Sequence, residues 1–253
     1  MCLVCDAENT ARPTSRRAFF KGLGTASGGC ALAASGLMTA STSIALAAGA
    51  KAPPKPQNVV SPDEALKLLM AGNARYVQGV AKRHDFRHER EPLTKGQNPY
   101  AAVLSCADSR IAPEYAFDTA RGDLFVCRVA GNFANDDMVA SLEYAVAVLN
   151  TPLIMVLGHE ACGAVDATIN SLKDNSTLPG HLPSLVASLA PAVKASEGKP
   201  GDLLANAIRQ NVVLNMEKLK DAGPILKAHV DDGKLRVVGA TYRLSDGHVE
   251  LVS

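Results

Sequence analysis

The sequence contains no tryptophan, and aromatic residues make up only 4% of its 253 residues. Surfaces that bind single-stranded nucleic acid stack bases on aromatic side chains, so this scarcity argues against such a surface. An excess of charge is also lacking, because 26 basic and 25 acidic residues leave a formal net charge of +1. Without a block of like charge, nothing indicates DNA, RNA or an anionic membrane as a partner.

The overall composition is that of a folded globular protein. Hydrophobic residues account for 47% and charged residues for 20% of the chain, which fits neither a disordered chain nor a coiled coil. The length corresponds to one domain of ordinary size, or to one domain with an appendage.

Residues 1–50 have the layout of an export signal. Four basic residues precede a stretch without charge at 22–50, and small residues end it. The pair Arg16 and Arg17 before the weakly apolar stretch predicts twin-arginine export, and hence a periplasmic or otherwise exported protein. Cleavage would follow Ala47 or Ala50, leaving no stable membrane span. A retained anchor or a disordered tail is the alternative interpretation.

The remaining chain is predicted to hold a Pro-rich linker at 51–60 and one domain at 61–253. Ser61, Pro62 and Glu64 have the spacing of a helix N-cap, a first helical position and a capping box, which predicts a helix at 62–77. The charged segment 82–95 that follows is expected to form an irregular surface arm.

Beyond this arm, apolar runs alternate with helical patterns, which predicts an α/β fold. The fold expected is a mostly parallel central sheet with helices on both faces, an N-terminal helical arm and an antiparallel edge hairpin around Ser245, Asp246 and Gly247. Strands are predicted at 101–105, 124–129, 153–157, 235–244 and 248–252, and helices at 113–118, 136–149, 162–172, 182–195 and 203–219.

Three residues have the spacing of a metal site. Cys106 ends the first predicted strand, and His159 and Cys162 follow the third. Because ligands bind at the carboxyl edge of parallel sheets, these residues are expected to meet there. Two Cys and one His form a known ligand set for catalytic zinc, with the fourth position open for water. Taken singly, each could equally be a small core residue or a hydrogen-bonded loop residue.

An acidic and a basic residue accompany the first cysteine, in the order Cys106, Asp108, Arg110. A carboxylate paired with a guanidinium stays ionised, and it could accept a hydrogen bond from metal-bound water. The alternative is a surface Asp and Arg in a turn, which leaves a polar cluster beside two apolar strands unexplained.

These motifs resemble those of the β-class carbonic anhydrases. The C-x-D-x-R motif lies at 106–110, the H-x-x-C-G motif at 159–163, and the stretches 122–132 and 141–145 are also similar to the family. The resemblance implies one zinc ion per subunit, bound by Cys106, His159 and Cys162, with Asp108 and Arg110 as the catalytic dyad. It also implies reversible hydration of carbon dioxide to bicarbonate and a proton by zinc-bound hydroxide, in a homodimer or homotetramer.

Further positions resemble the plant-like branch of that family. Gln97, Phe125 and Tyr144 occupy the places of residues that line its substrate pocket, and Gly163 is expected to face substrate as well. In this branch water, not the aspartate, completes the zinc shell. Val103 stands where the other branch has a tryptophan of an inhibitory bicarbonate pocket, so no such pocket is expected. The additional Cys127 is interpreted as a core residue.

Two other functions remain open at this point. One is a hydrolase of the same fold that acts on carbon disulfide or carbonyl sulfide. The other is an exported zinc-binding protein without activity, against which the Asp108–Arg110 pair argues because metal storage needs neither residue. Twin-arginine export would also allow zinc to be inserted before the two thiolates meet an oxidising compartment.

Overall fold

The computed structural model describes residues 60–252, and of Phe86 and His88 only the backbone. The predicted signal, and all but the last residue of the predicted linker, lie outside this range. The helices are α1 (Pro62–Val77), α2 (Phe86–Leu93), α3 (Pro113–Ala116), α4 (Asp136–Ala147), α5 (Gly163–Lys173), α6 (Leu182–Lys194), α7 (Leu203–Lys220) and α8 (Ile225–Asp231). The strands are β1 (Ala101–Ser105), β2 (Leu124–Arg128), β3 (Leu153–His159), β4 (Arg236–Tyr242) and β5 (Val249–Val252).

The five strands form one sheet in the order β2-β1-β3-β4-β5. The first four are parallel, and β5 pairs antiparallel with β4, so the predicted α/β fold with an antiparallel edge is confirmed. Every residue of β1 and β3 is buried, which explains why these strands are apolar up to their last residues, Ser105 and His159, rather than alternating. Ser105 at the end of β1 lies beside both Arg128 and Leu157.

Alternate side chains of the strands supply two apolar layers. Ala101 and Val103 pack with α1 and α3 on one face, whereas Ala102 and Leu104 pack with α4, α7 and α8 on the other. A third cluster joins α5, α6 and α7 to the two cysteines beyond the carboxyl ends of β1 and β3. The sheet thereby holds its carboxyl edge between packed helices.

The helix α1 has the predicted bounds, because the capping residues act as the spacing indicates. The Ser61 hydroxyl accepts a hydrogen bond from the Glu64 backbone N–H at 3.2 Å. The prediction of an irregular arm was wrong, since α2 lies within it. Asp85 starts that helix by accepting the Arg87 N–H on its side chain and the Glu89 N–H on its carbonyl.

The sequence patterns also missed α8, a seven-residue helix. Its one buried residue, Leu226, is too little for a periodic apolar pattern to show. Within residues 60–252, no helix combines the length and the apolar character needed to cross a membrane.

Candidate metal centre

Three buried side chains meet at the carboxyl edge of the sheet. Cys106 directly follows β1, His159 ends the neighbouring strand β3, and Cys162 is the residue before α5. The two sulfur atoms lie 4.0 Å apart, and the three ligand atoms lie within 4.8 Å of one another. Because β1 and β3 are parallel neighbours, their ends bring together residues that are more than fifty positions apart.

The turn between His159 and Cys162 is tight and anchored from outside. Ala161 has a positive φ of 49°, which reverses the chain within two residues. The Glu160 N–H donates to the carbonyl of Tyr242, and its side chain accepts the Leu244 N–H at 2.9 Å. The C-terminal hairpin thus holds this turn in place.

The donor set fits a zinc ion. His159 Nδ1 lies 2.8 Å from the Glu160 carbonyl, so this nitrogen carries the proton and Nε2 keeps its lone pair. Nε2 is buried and has no hydrogen-bond partner among the described residues. A buried nitrogen lone pair beside two sulfur atoms is the arrangement that zinc prefers, and a carbonyl partner on the other ring nitrogen is usual for histidine ligands.

The two thiols share a hydrogen bond and therefore do not lose their protons independently. A hydrogen bond between the sulfurs lowers the pKa of Cys106 to about 4, helped by the Gly131 N–H that donates to Cys106 Sγ at 3.2 Å. The same bond raises the pKa of Cys162. Burial opposes the charged form of His159, but its contacts with Cys106 raise its pKa on balance. The hydrogen bond between the sulfurs thus favours the loss of a proton from the cysteine pair beside the His159 ring.

Asp108 and Arg110 form the predicted pair. Asp108 Oδ1 accepts from the Arg110 backbone N–H at 2.9 Å and from Nε at 3.0 Å, and Oδ2 accepts from Nη2 at 2.7 Å. These bonds hold the pKa of Asp108 well below its usual range. Asp108 Oδ2 lies 3.8 Å from His159 Nε2, so the carboxylate faces the metal centre. Arg110 also donates to the Ala161 carbonyl at 3.0 Å.

Two residues that support the centre were missed by the sequence analysis. Arg128 donates to the backbone carbonyls of Cys106, Asp108 and Ile111 at 2.7–2.9 Å, and so fixes the loop after β1. Gly131 supplies the N–H bond to Cys106 Sγ. An arginine ending the otherwise apolar β2 run is the one signal that could have indicated the first.

The expected substrate-pocket residues lie in three different places. Gly163 follows Cys162, and the position where a Cβ would stand has open space around it. Phe125 and Tyr144 contact each other, with ring centroids 6.2 Å apart, but Phe125 lies three positions before the end of β2, about 10 Å from the carboxyl edge. Gln97 is exposed and precedes the amino end of β1. A single chain does not bring these three residues to its own metal centre.

Two remaining positions are buried in apolar layers. Cys127 packs among the residues facing α4 and α7, and burial raises the pKa of its thiol. Val103 is fully buried in the layer beneath α1.

Comparisons with known proteins indicate one family. A family model described as "Carbonic anhydrase" matches residues 101–249. A carbonic anhydrase of Mycolicibacterium smegmatis is 37% identical, over 76% of this chain and 94% of that protein. Carbonic anhydrase 2 of Mycobacterium tuberculosis is 36% identical, over 76% of this chain and 93% of that protein.

Solved structures share the fold. That of the β-carbonic anhydrase CcaA has a TM-score of 0.58 and 28% identity, covering 74% of this chain and 95% of its own. A structure from work on two tetrameric β-carbonic anhydrases of Sordaria macrospora has a TM-score of 0.59 and 22% identity, covering 76% of this chain and 98% of its own.

The mostly parallel sheet with a Cys-His-Cys group at its carboxyl edge defines an α/β protein whose side chains could hold a metal ion at that edge. With residues 101–249 matching the family model and the Mycolicibacterium relative similar over three quarters of the chain, this protein belongs to the carbonic anhydrase family, in its β class.

Proposed function

We propose that this chain is a zinc-dependent enzyme that reversibly hydrates carbon dioxide to bicarbonate and a proton, with one zinc ion per subunit. Cys106, His159 and Cys162 would hold the ion and leave its fourth position to water, as in catalytic zinc sites. The observation that supports this most directly is the buried Nε2 of His159, which lacks a hydrogen-bond partner within the described residues and belongs to a group of three close ligand atoms.

The Asp108–Arg110 pair would orient the reacting water. When bound, zinc acts as a Lewis acid that lowers the pKa of a coordinated water to about 7, so that hydroxide is available near neutral pH. Asp108 Oδ2 accepts one bond from Arg110 and keeps a second lone pair on the side of His159. Since the carboxylate is ionised, it can only accept a hydrogen bond from the reacting water and cannot donate one. The water's own lone pair is then left to face the substrate carbon, and the released proton passes to buffer.

The test is stopped-flow carbon dioxide hydration, with zinc content measured on the same samples. Asp108→Ala should lose at least about 100-fold in turnover, because one oriented acceptor at the reacting water is removed, while bound zinc stays nearly stoichiometric. Asp174→Ala, an exposed carboxylate at the end of α5, is the matched control and should keep full activity. Unchanged turnover in Asp108→Ala would refute the role of the pair.

The two alternative functions are outcomes of the same measurement. Stoichiometric zinc without hydration, but with hydrolysis of carbon disulfide or carbonyl sulfide, would identify a hydrolase on this fold. Stoichiometric zinc with none of these activities would leave an exported zinc-binding protein. Rapid hydration that follows zinc content would exclude both as the main function.

The substrate pocket would be completed by a second copy of the chain. The strand β2 is an edge of the sheet, and Tyr144 on the adjacent α4 is 48% exposed although it is a large aromatic residue. Since Gln97, Phe125 and Tyr144 lie away from their own metal centre, they would line the pocket of a partner in a homodimer, or in a homotetramer built from it. An interface of this kind places apolar surface against a copy of itself.

Mixed dimers test this arrangement. Subunits that carry Asp108→Ala are mixed with subunits that carry both Phe125→Ala and Tyr144→Ala. The mixture is then unfolded and refolded, or left until the dimers have exchanged subunits. If the aromatic residues serve the partner's centre, each mixed dimer has one intact site, and random mixing restores about a quarter of wild-type activity. If they serve their own centre, mixing restores nothing, and analytical ultracentrifugation verifies that dimers formed.

The same proposal places the chain in the plant-like branch, in which water and not Asp108 completes the zinc shell. Arg110 engages both oxygens of Asp108, which supports a carboxylate that stays beside the ion. With cobalt in place of zinc, wild type and Asp108→Asn should have the same d–d absorption at mildly acid pH. A difference confined to acid would indicate that Asp108 binds the metal. Because Val103 stands in the position of the pocket tryptophan, bicarbonate should not inhibit through such a pocket.

Export of the folded, zinc-loaded protein through the twin-arginine route completes the proposal. Arg16 and Arg17 support that route, and the two metal-binding thiols give a reason for loading zinc in a reducing compartment. Replacing both arginines by lysine should retain the protein inside the cell. Fusion to a signal that exports unfolded chains should yield protein with little zinc, and full zinc content there would refute the loading argument.

A further inference from the structure

The helix α7 buries two asparagines on the side that faces the sheet. Asn211 and Asn215 are one helical turn apart and only 2% and 7% exposed, and they share the buried side of the helix with apolar residues such as Val212 and Leu219. A buried amide is unfavourable unless its polar atoms find partners, and asparagine is a poor residue for a helix interior. The partners of these two amides therefore indicate what they are for.

Both amides bind the loop that follows β2. Asn211 Nδ2 donates to the carbonyl of Gly131 at 2.8 Å, and Asn215 Oδ1 accepts the backbone N–H of Ala134 at 2.7 Å. Asn215 Nδ2 in turn donates to the backbone and side-chain oxygens of Asn211 at 2.8 and 2.9 Å. The second asparagine thus holds the first in the orientation that it needs.

This loop is one hydrogen bond from the metal centre. The N–H of Gly131 donates to Cys106 Sγ at 3.2 Å, while the carbonyl of the same residue accepts from Asn211. Gly131 has a φ of +84°, and a Cβ there would come within 2.8 Å of the Leu189 side chain. The position of the backbone here therefore depends on two features: residue 131 has to be a glycine, and the asparagines of α7 hold its carbonyl in place.

A hydrogen bond to a metal-ligating sulfur stabilises the thiolate form that binds the ion and fixes the direction in which the sulfur points, so its loss is expected to weaken metal binding. We propose that Asn211, oriented by Asn215, is a positioning residue that sets the Gly131 N–H bond to Cys106 and thereby tunes the metal centre. The inference rests on metal binding by Cys106, His159 and Cys162. It concerns residues more than a hundred positions from the first of these ligands along the chain.

The test compares Asn211→Ala with Asn73→Ala as a matched control. Asn73 is equally buried, at 3%, and its amide also binds two backbone carbonyls from a helix packed on the sheet, but it bonds to neither Gly131 nor Ala134. The readouts are the thiolate-to-cobalt charge-transfer band of the cobalt-loaded chain and zinc affinity from chelator competition. Neither depends on enzymatic activity.

Asn211→Ala should shift the charge-transfer band and weaken zinc binding about 10-fold, the size typical of residues that support metal ligands. Asn215→Ala should act in the same direction and less strongly. Asn73→Ala should change neither readout. If Asn211→Ala does not fold, Asn211→Ser replaces it. This variant removes the amide but keeps a shorter polar group in the core.

An unchanged band and unchanged affinity in the folded Asn211 variant would overturn the inference, and so would equal changes in Asn73→Ala. A wild-type chain without any thiolate-to-cobalt band would instead refute the metal site itself, so the two failures are distinguishable.

Discussion

Each face of the sheet has a buried asparagine whose amide binds backbone groups, and the two asparagines serve different purposes. On one face, Asn73 of α1 donates to the carbonyls of Ala116 and Gly247 and accepts the Val249 N–H at 2.9 Å. On the other face, Asn211 binds the loop whose next hydrogen bond is to Cys106. The first ties α1, α3 and the C-terminal hairpin together. Burial and residue type are alike, so only the partner's own contacts separate a scaffold anchor from one that supports the metal centre.

Removing the metal should lower the free energy of unfolding more than any single substitution considered below. Of the two asparagines, only Asn211 should change the size of this loss. Zinc at 1,000 times its Kd stabilises the folded chain by about 4 kcal/mol, which a chelator removes. Urea unfolding with and without chelator measures the loss in wild type and in both asparagine variants. Asn73→Ala should lose as much as wild type on chelation, whereas Asn211→Ala should lose less because it holds zinc less tightly. Equal losses in all three would contradict the distinction.

Asn73→Ala should cost the most stability among single substitutions on the scaffold side. It leaves two carbonyls and one N–H without their buried partner, which corresponds to about 3 kcal/mol of unfolding free energy. Equilibrium unfolding of the zinc-loaded protein measures this. A loss of zinc stoichiometry in the same variant would show that the anchor is not independent of the metal centre.

The scaffold side should also show a pH dependence. Asp118 has a side chain only 4% exposed and accepts bonds from Arg75 and from the Lys82 N–H. Burial opposes its charge, but the Arg75 bond lowers its pKa on balance. The native pKa therefore lies below the unfolded value, so the charge stabilises the fold above the unfolded pKa of about 4, and this is lost as pH falls through the native pKa.

Asp118→Asn should accordingly cost about 2 kcal/mol at neutral pH and progressively less in acid. Unfolding midpoints across the acid range test this, with Asp174→Asn as an exposed control. Parallel stability curves for wild type and Asp118→Asn would contradict the assigned pKa direction.

Cys127→Ala should have the smallest effect. Its sulfur packs in the layer facing α4 and α7, so truncation should cost about 1 kcal/mol and leave zinc content unchanged. Thiol counting after zinc removal provides a second check, because the metal-binding pair should account for the thiols newly released. A fall in zinc content would show that Cys127 contributes to the centre.

Local sequence signals predicted the parts of the fold that local physics decides. The bounds of α1 follow from Ser61 and Pro62, and the buried strands follow from continuous apolar runs. The capping bonds of α2 from Asp85, and the single buried leucine of α8, involve too few residues to form a pattern, so both helices were missed.

The site divides in the same way. The Asp108–Arg110 pair could be predicted from the C-x-D-x-R motif, because a guanidinium two residues from a carboxylate can bind it within one turn. Nothing near Asn211 in the sequence predicts its bond to Gly131, because that contact depends on how α7 lies against the loop after β2.

By itself, the sequence determined the residue types of the metal centre, the parallel α/β order and the family, because ligand chemistry and hydrophobic periodicity are written in neighbouring residues. Only the tertiary structure decided that His159 Nε2 lies near the sulfurs without a hydrogen-bond partner among residues 60–252, and that Gln97, Phe125 and Tyr144 lie away from their own centre. It also decided that the buried Asn211 binds Gly131, the residue whose N–H donates to Cys106. Such facts depend on distances between elements far apart in the chain, which packing sets and local spacing does not.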